Sequence, residues 1–133
     1  LMDVLEHLFN PLETLKKVKK YLKKDGEIII TLPNVANWKI RYDLFWGRFN
    51  YDDEGILERG HIRFFTFETI QKLISDAGMK VISVDFVTTM PLILLKLQNR
   101  FPFLGIHQIL NKYFRLLAYQ YIFLIKKKKE SKK

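Results

Sequence analysis

Residues 27 to 32 read Glu-Ile-Ile-Ile-Thr-Leu, a continuous β-branched run closed in front by Asp25-Gly26 and behind by Pro33-Asn34. Runs of this kind form strands buried on both faces of a parallel sheet. The segment before it is helical. Asn10-Pro11-Leu12-Glu13 supplies a capping residue, a proline at the first helical position and an acid at the third. Leu12, Leu15, Val18 and Leu22 then recur on one face, and the helix is expected to run to about Lys23. A helix feeding a buried strand specifies an α/β chain.

Beyond Asn34 the pattern becomes irregular until residue 60, with Trp38, Tyr42, Phe45, Trp46, Phe49 and Tyr51 spread through it. A stretch of that length inside a domain reads as a lid or binding loop, with one helix expected within residues 36 to 46. Thr66 caps a second helix, Phe67 to Ala77, which Gly78 terminates. Lys80 to Val87 alternates as a strand does. Residues 91 to 118 read as an insertion punctuated by Pro91 and Pro102, carrying an amphipathic helix from Ile106 onward that includes His107. Tyr119 to Ile125 reads as a last strand, and residues 126 to 133 as a disordered basic tail.

An apolar share of 48% suits a globular core, and the formal charge of +9 gathers in two places. Lys16, Lys17, Lys19, Lys20, Lys23 and Lys24 occupy the polar face of the first helix, and the rest of the surplus sits in the tail. The helix lysines read as a solvated face, with anion binding as the alternative. The absence of cysteine excludes disulfides, thiolate metal sites and cysteine nucleophiles, and fits a reducing compartment. No signal peptide is visible, and no run approaches the roughly 18 apolar residues of a membrane span. Cytoplasm is the default location.

Asp3-Val-Leu-Glu-His7 is a short apolar run breaking into an acid and a histidine, the pattern of a strand end beside a binding site. With only two residues in front of it, it also reads as a fold entered midway. Taken with Asp25-Gly-Glu-Ile-Ile-Ile-Thr-Leu-Pro-Asn34 and with Gly60-His-Ile-Arg-Phe-Phe-Thr66 before a helix ending Asp76-Ala-Gly78, it resembles the C-terminal half of a class I S-adenosylmethionine-dependent methyltransferase. The likeness is to a bacterial subgroup accompanying glycosyltransferases. Its lid motifs correspond to Gly47-Arg-Phe-Asn-Tyr51 and Gly55-Ile-Leu57.

The resemblance implies a partial Rossmann-like sheet in residues 1–125: the end of a fourth strand at residues 1 to 6, a fifth at 27 to 32, a sixth at 80 to 87 and an antiparallel seventh at 119 to 125, with flanking helices and the lid at 35–60. It implies S-adenosylmethionine as cofactor, with Asp3 and Glu6 near its methionine part. The family's glycine-rich turn has no counterpart, because none of the six glycines forms a Gly-x-Gly. The expectation is therefore an acceptor-binding portion, incomplete and inactive alone.

Methyl transfer from a sulfonium asks the protein to align the reactants, exclude water and, for a hydroxyl or amine acceptor, remove a proton. His7 and His61 are the candidate proton acceptors, since imidazole titrates near neutrality; each can instead be structural, ordering the turn or pinning the lid. Asn34 is placed to hydrogen-bond an acceptor, though Asn is also an ordinary turn residue. Arg63 suits an anionic acceptor or an ion pair with Glu58. Trp38 and Tyr51 stack on a sugar or lipid acceptor, or pack. Phe64 and Phe65 read as core and wall, and no cluster shows metal-ligand spacing in the sequence.

The expected partners are a small-molecule, sugar or lipid-linked acceptor, with no specific nucleic acid. The alternative function is a basic membrane-surface module built from the late amphipathic helix and the lysine tail. Self-association through an uncovered sheet edge is also expected.

Overall fold

The computed structural model describes residues 1–88 and 116–128. The amphipathic helix expected from Ile106, His107, most of the insertion at 91–118 and the end of the tail lie outside the described residues. Within them, helix α1 spans Pro11–Tyr21, strand β1 Glu27–Pro33, helix α2 Trp38–Phe45, helix α3 Phe67–Asp76, strand β2 Met79–Thr88 and strand β3 Ala118–Lys127. The helix starts follow their caps. Asn10 accepts from the Glu13 amide, with Pro11 at the first position of α1. Thr66 and Thr69 form a reciprocal capping box at α3, and Gly78 leaves that helix at φ +72°.

The three strands form an antiparallel sheet in the order β1-β3-β2. Its core face is set by register: Ile28 pairs with Ile125, Ile30 with Phe123 and Leu32 with Tyr121. Leu15 from α1 and Ile70 and Ile74 from α3 join these side chains in one buried cluster with Leu5 and Phe65. The molecule is thus mixed α/β, as its helix and strand signals specify. The idea that β1 is buried on both faces is overturned at its start: Ile29, on the face opposite Ile28 and Ile30, is 52% exposed. No described element packs over that end of the strand, and its partner β3 runs antiparallel. Toward Pro33 the second face does close, with Thr31 buried against Asp3.

Two further boundaries differ from expectation. At the N-terminal side, only Met2 bridges to β1, in parallel register with Thr31. Asp3 then turns the chain at φ +51°, and Leu5–His7 form a single 3-10 turn, so residues 3 to 7 are a turn and not a strand end. At the other side, β3 continues through Lys127, past the expected start of the tail. Ladder pairing carries it on, with Glu27 opposite Lys126 and Met79 opposite Lys127. The Lys127 ammonium also donates to the Leu22 carbonyl at 2.6 Å, a cation at the carbonyl end of α1.

The β1 exit is stitched to the β3 entrance by two buried asparagines. The Asn34 and Asn37 amides both donate to the Ala118 carbonyl, at 2.8 and 2.9 Å. Asn37 also caps α2 through the Lys39 amide. The segment after Asn37 then returns through a second small core of Ile40, Ile56 and Leu57, against which Val35, Phe64 and Tyr119 pack. Its outward aromatics stay in solvent: Phe45 is 80% exposed, and Tyr42 and Trp46 are each 56% exposed.

Candidate functional site

The site forms where the 3-10 turn at Leu5–His7 meets the segment from Ile56 to Arg63. Both Ile62 and Arg63 donate their backbone amides to the Glu6 carbonyl at 3.0 Å. The Arg63 guanidinium donates to the Phe9 carbonyl at 2.7 Å. These bonds dock one segment on the other and bring together residues far apart in sequence. His7 and His61 meet edge to face, with ring centroids 4.8 Å apart.

Both imidazoles have a determined polarity. His7 Nδ1 lies 2.9 Å from the Gly60 carbonyl, and His61 Nδ1 lies 3.0 Å from the Ile56 carbonyl. A carbonyl oxygen only accepts, so each Nδ1 carries a proton, and in the neutral form of each ring Nε2 holds the lone pair. His61 is buried, and its Nε2 faces two carboxylates: Glu58 Oε2 at 3.7 Å and Glu6 Oε1 at 4.0 Å. Gly60 makes room for this packing, since a Cβ there would sit 3.0 Å from a Glu58 oxygen and 3.3 Å from the His7 ring.

Glu6 is the unusual member, 1% exposed with Oε2 lacking any hydrogen-bond partner. Burial pushes its carboxyl above the usual carboxylate range; its own backbone amide opposes this, the Asp3 charge adds to it, and His61 and His7 oppose it. The folded chain therefore holds the Glu6 proton more tightly than the unfolded chain does. The sign follows: stability is greatest at acidic pH and falls as pH rises past the ordinary Glu value, about 4.3, toward the raised one. Glu6→Gln removes that loss. In chelator-treated buffer the variant is expected to melt above the parent at pH 7 to 8, with the gap closing toward pH 4; a gap that widens on acidification contradicts this.

Around this cluster lie two cavities that share His61. One, of about 290 Å³, is lined by Asp3, Glu6, His7, Glu58, His61 and Gln120, among others. The other is an open cleft of about 520 Å³ lined by Tyr51, Arg59, His61, Ile62 and Phe64. Tyr51 is 48% exposed there and meets the rings of Phe49 and Phe64. Arg59 is held by an ion pair with Asp53.

The candidates separate as follows. Asp3, Glu6, His7 and His61 converge on one cavity, and Tyr51 lines the cleft beside it. Asp3 is also a fold residue, its Oδ1 accepting from the Thr31 hydroxyl and from the Gln120 amide. Trp38 faces a different cavity, of about 270 Å³, with Ile40, Gly55 and Tyr119. Asn34 is wholly buried, its side-chain oxygen accepting from the Ala36 amide and its nitrogen donating to Ala118, so it is scaffold and not cavity wall. The guanidinium of Arg63 is on the Phe9 carbonyl, not in an ion pair with Glu58. Phe65 is core and Phe64 is cleft wall.

Sequence reasoning missed Glu58 as a member of the site. Its spacing three residues before His61 is the one signal that marks it. It also found no metal-ligand cluster, because the spacing test reads only neighbours along the chain. The fold gathers Glu6, His7 and His61 so that one ligand atom from each lies within 4.8 Å of the others. No helix among the described residues is long and apolar enough to cross a membrane.

A family model described as a methyltransferase domain matches residues 1–84, well over half of the 133-residue chain and the part that holds every candidate site residue. A search of curated proteins finds no match.

Proposed function

We propose, since the chain belongs to the methyltransferase-domain family, that it supplies the acceptor side of an S-adenosylmethionine-dependent methyl transfer to a small-molecule, sugar or lipid-linked acceptor. In this reading Leu1–Asp3, β1, β2 and β3 correspond to the fourth, fifth, sixth and seventh strands of such a domain. The parallel bridge of Met2 to Thr31 and the antiparallel insertion of β3 between β1 and β2 support it.

The observation that carries the reading is His61, which lines both the acidic cavity and the aromatic cleft. Its Nε2 lone pair is free to accept an acceptor's proton, because Nδ1–H is committed to Ile56. Once charged, the imidazolium is stabilised by Glu58 and Glu6 at 3.7 and 4.0 Å. Tyr51 and Phe64 offer ring faces of the kind that stack on a sugar or apolar acceptor. His7 backs His61 edge-on and keeps the two segments in register.

The cofactor supplies an activated methyl group. Asp3 and Glu6 suit the cationic methionine end of such a molecule, and the unpartnered oxygen of Glu6 is the group in need of a partner. The cavity of about 290 Å³ lies at the lower edge of ligand pockets, about 300–1,000 Å³, so it accommodates that end and not the whole nucleoside. With no Gly-x-Gly among the six glycines, these residues are expected to bind the cofactor weakly.

Isothermal titration with S-adenosylmethionine tests this share-out. Weak or absent binding is expected for the 133 residues by themselves, and tight binding refutes the assignment to the acceptor side. In an active assembly, His61→Gln is expected to lower kcat by about 100-fold or more, the usual contribution of a positioned base. Activity equal to the parent's removes His61 from the chemistry.

A further inference from the structure

The Glu6, His7 and His61 cluster has the donor set and the supporting contacts of a cation site, and we propose that it binds a divalent first-row transition metal of the Zn2+ class. This goes beyond methyl transfer and is tested without it; the ion takes the same His61 Nε2 and Glu6 oxygen that methyl transfer uses, so ion and acceptor proton compete for them.

The supporting contacts are specific. Metal-bound histidines usually donate their second ring N–H to a carbonyl or carboxylate, which fixes the tautomer and aims the other nitrogen at the ion. His7 Nδ1 makes such a bond to Gly60 at 2.9 Å and His61 Nδ1 to Ile56 at 3.0 Å, which leaves Nε2 of each ring as the nitrogen able to ligate. Both acceptor carbonyls come from the turn that also carries Glu58. The Glu6 carboxylate supplies the anionic ligand, 1% exposed and with Oε2 unpartnered. A buried carboxylate oxygen without a donor is costly, and a bound cation is one partner that removes the cost.

Geometry allows closure. A four-coordinate cation holds nitrogen and oxygen ligands at about 2.0–2.2 Å, which sets neighbouring ligand atoms about 3.4 Å apart. The three ligand atoms here lie within 4.8 Å of one another, and the closest approach of Glu6 to His61 is 4.0 Å. Rotations about the terminal torsions of one carboxylate and two imidazoles draw them in by the remaining ångström or so. Glu58 Oε2, 3.7 Å from His61 Nε2, is available as a fourth ligand. Two imidazoles with one carboxylate suit Zn2+, Co2+, Mn2+ or Fe2+ better than Mg2+ or Ca2+, which prefer an all-oxygen shell. The cavity of about 290 Å³ beside the cluster leaves a path for the ion and room for an exchangeable ligand.

The experiment uses the full chain, stripped with chelator and dialysed, titrated with Zn2+ by calorimetry and with Co2+ by visible absorption. One ion per chain is expected, with the absorption bands of four- or five-coordinate Co2+ and a rise in melting temperature. His7→Gln, His61→Gln and Glu6→Gln are each expected to weaken binding by more than about 100-fold, beyond the 10–100-fold cost of losing an outer contact. His107→Gln, at the only other histidine in the sequence, is expected to leave it unchanged. His7 is the solvent-facing member, so its variant decides the matter even where the buried His61 substitution unfolds the chain. No saturable uptake by the parent, uptake indifferent to His7→Gln, or loss with His107→Gln overturns the site. Cofactor and acceptor are absent from the titration, so failure here is separate from failure of the methyltransferase reading.

Discussion

Phe123→Ala is expected to destabilise the fold by about 3–5 kcal/mol, the range for removing a large aromatic from a packed core. Phe123 lies on the central strand β3, fully buried, opposite Ile30 across the ladder to β1 and opposite Val84 across the ladder to β2. Its ring also contacts Phe67 at the start of α3 and Tyr121 two positions earlier on the strand. Removing it therefore empties the space where both ladders and a helix converge. Small domains have about 5–15 kcal/mol in total, so the variant should sit at the edge of unfolding. Urea denaturation followed by circular dichroism reads the effect as a fall in the midpoint at unchanged slope. Phe123→Leu keeps most of the volume and is expected to cost about 1–1.5 kcal/mol. A loss under about 1 kcal/mol for the alanine variant would place Phe123 outside the structural centre.

The second large effect is at Gly55, where backbone conformation and space both forbid a side chain. Its φ is +96°, and a Cβ would lie 2.6 Å from the Tyr119 hydroxyl oxygen. Gly55→Ala is expected to cost about 2–4 kcal/mol, of which about 1–3 is backbone strain and the rest the clash. The two parts are separable. Tyr119→Phe removes the oxygen that the new methyl meets but leaves φ unchanged, so in that background Gly55→Ala should cost about 1 kcal/mol less. Equal costs in the two backgrounds would show that the loop moves away from Tyr119 and the contact carries nothing. Gly55 and Tyr119 also line both the Trp38 cavity and the acidic cavity, so the strained variant should distort the site as well as the fold.

Local chemistry makes the helices and strands legible in the sequence. Asn10-Pro11 and Thr66 start helices because a side-chain oxygen and a missing amide proton satisfy the first turn from within the segment itself. Gly78 ends α3 because it alone accepts a positive φ there at little cost. The β1 strand is equally clear, but its burial is not. Ile29 and Ile30 are the same residue type, and which one faces water depends on which element covers each side of the sheet.

The site is half legible for the same reason. Asp3, Glu6, His7 and His61 stand out by residue type and by the motifs around them. Asn34 stands out as well, yet its amide serves the β1 to β3 junction, a partner remote in sequence. Glu58 is the one acid that proximity along the chain places beside His61, yet by charge alone it pairs equally well with Arg63, and only the fold turns Arg63 away to the Phe9 carbonyl.

By itself the sequence determined what hydrogen bonds and periodicity within a few residues can determine: among the described residues, α1 and α3 with their caps, a helix within 36 to 46, the three strands, and the residue types able to move a proton. Tertiary structure decided what each of those residues meets. Two amides on the Glu6 carbonyl and one imidazole on the Gly60 carbonyl brought His7 against His61 and buried beside them a carboxylate with one unpartnered oxygen. Those contacts join segments separated by α1, β1 and α2, and their energy exists only once the sheet and its covering helices have paid the entropy of bringing the segments together.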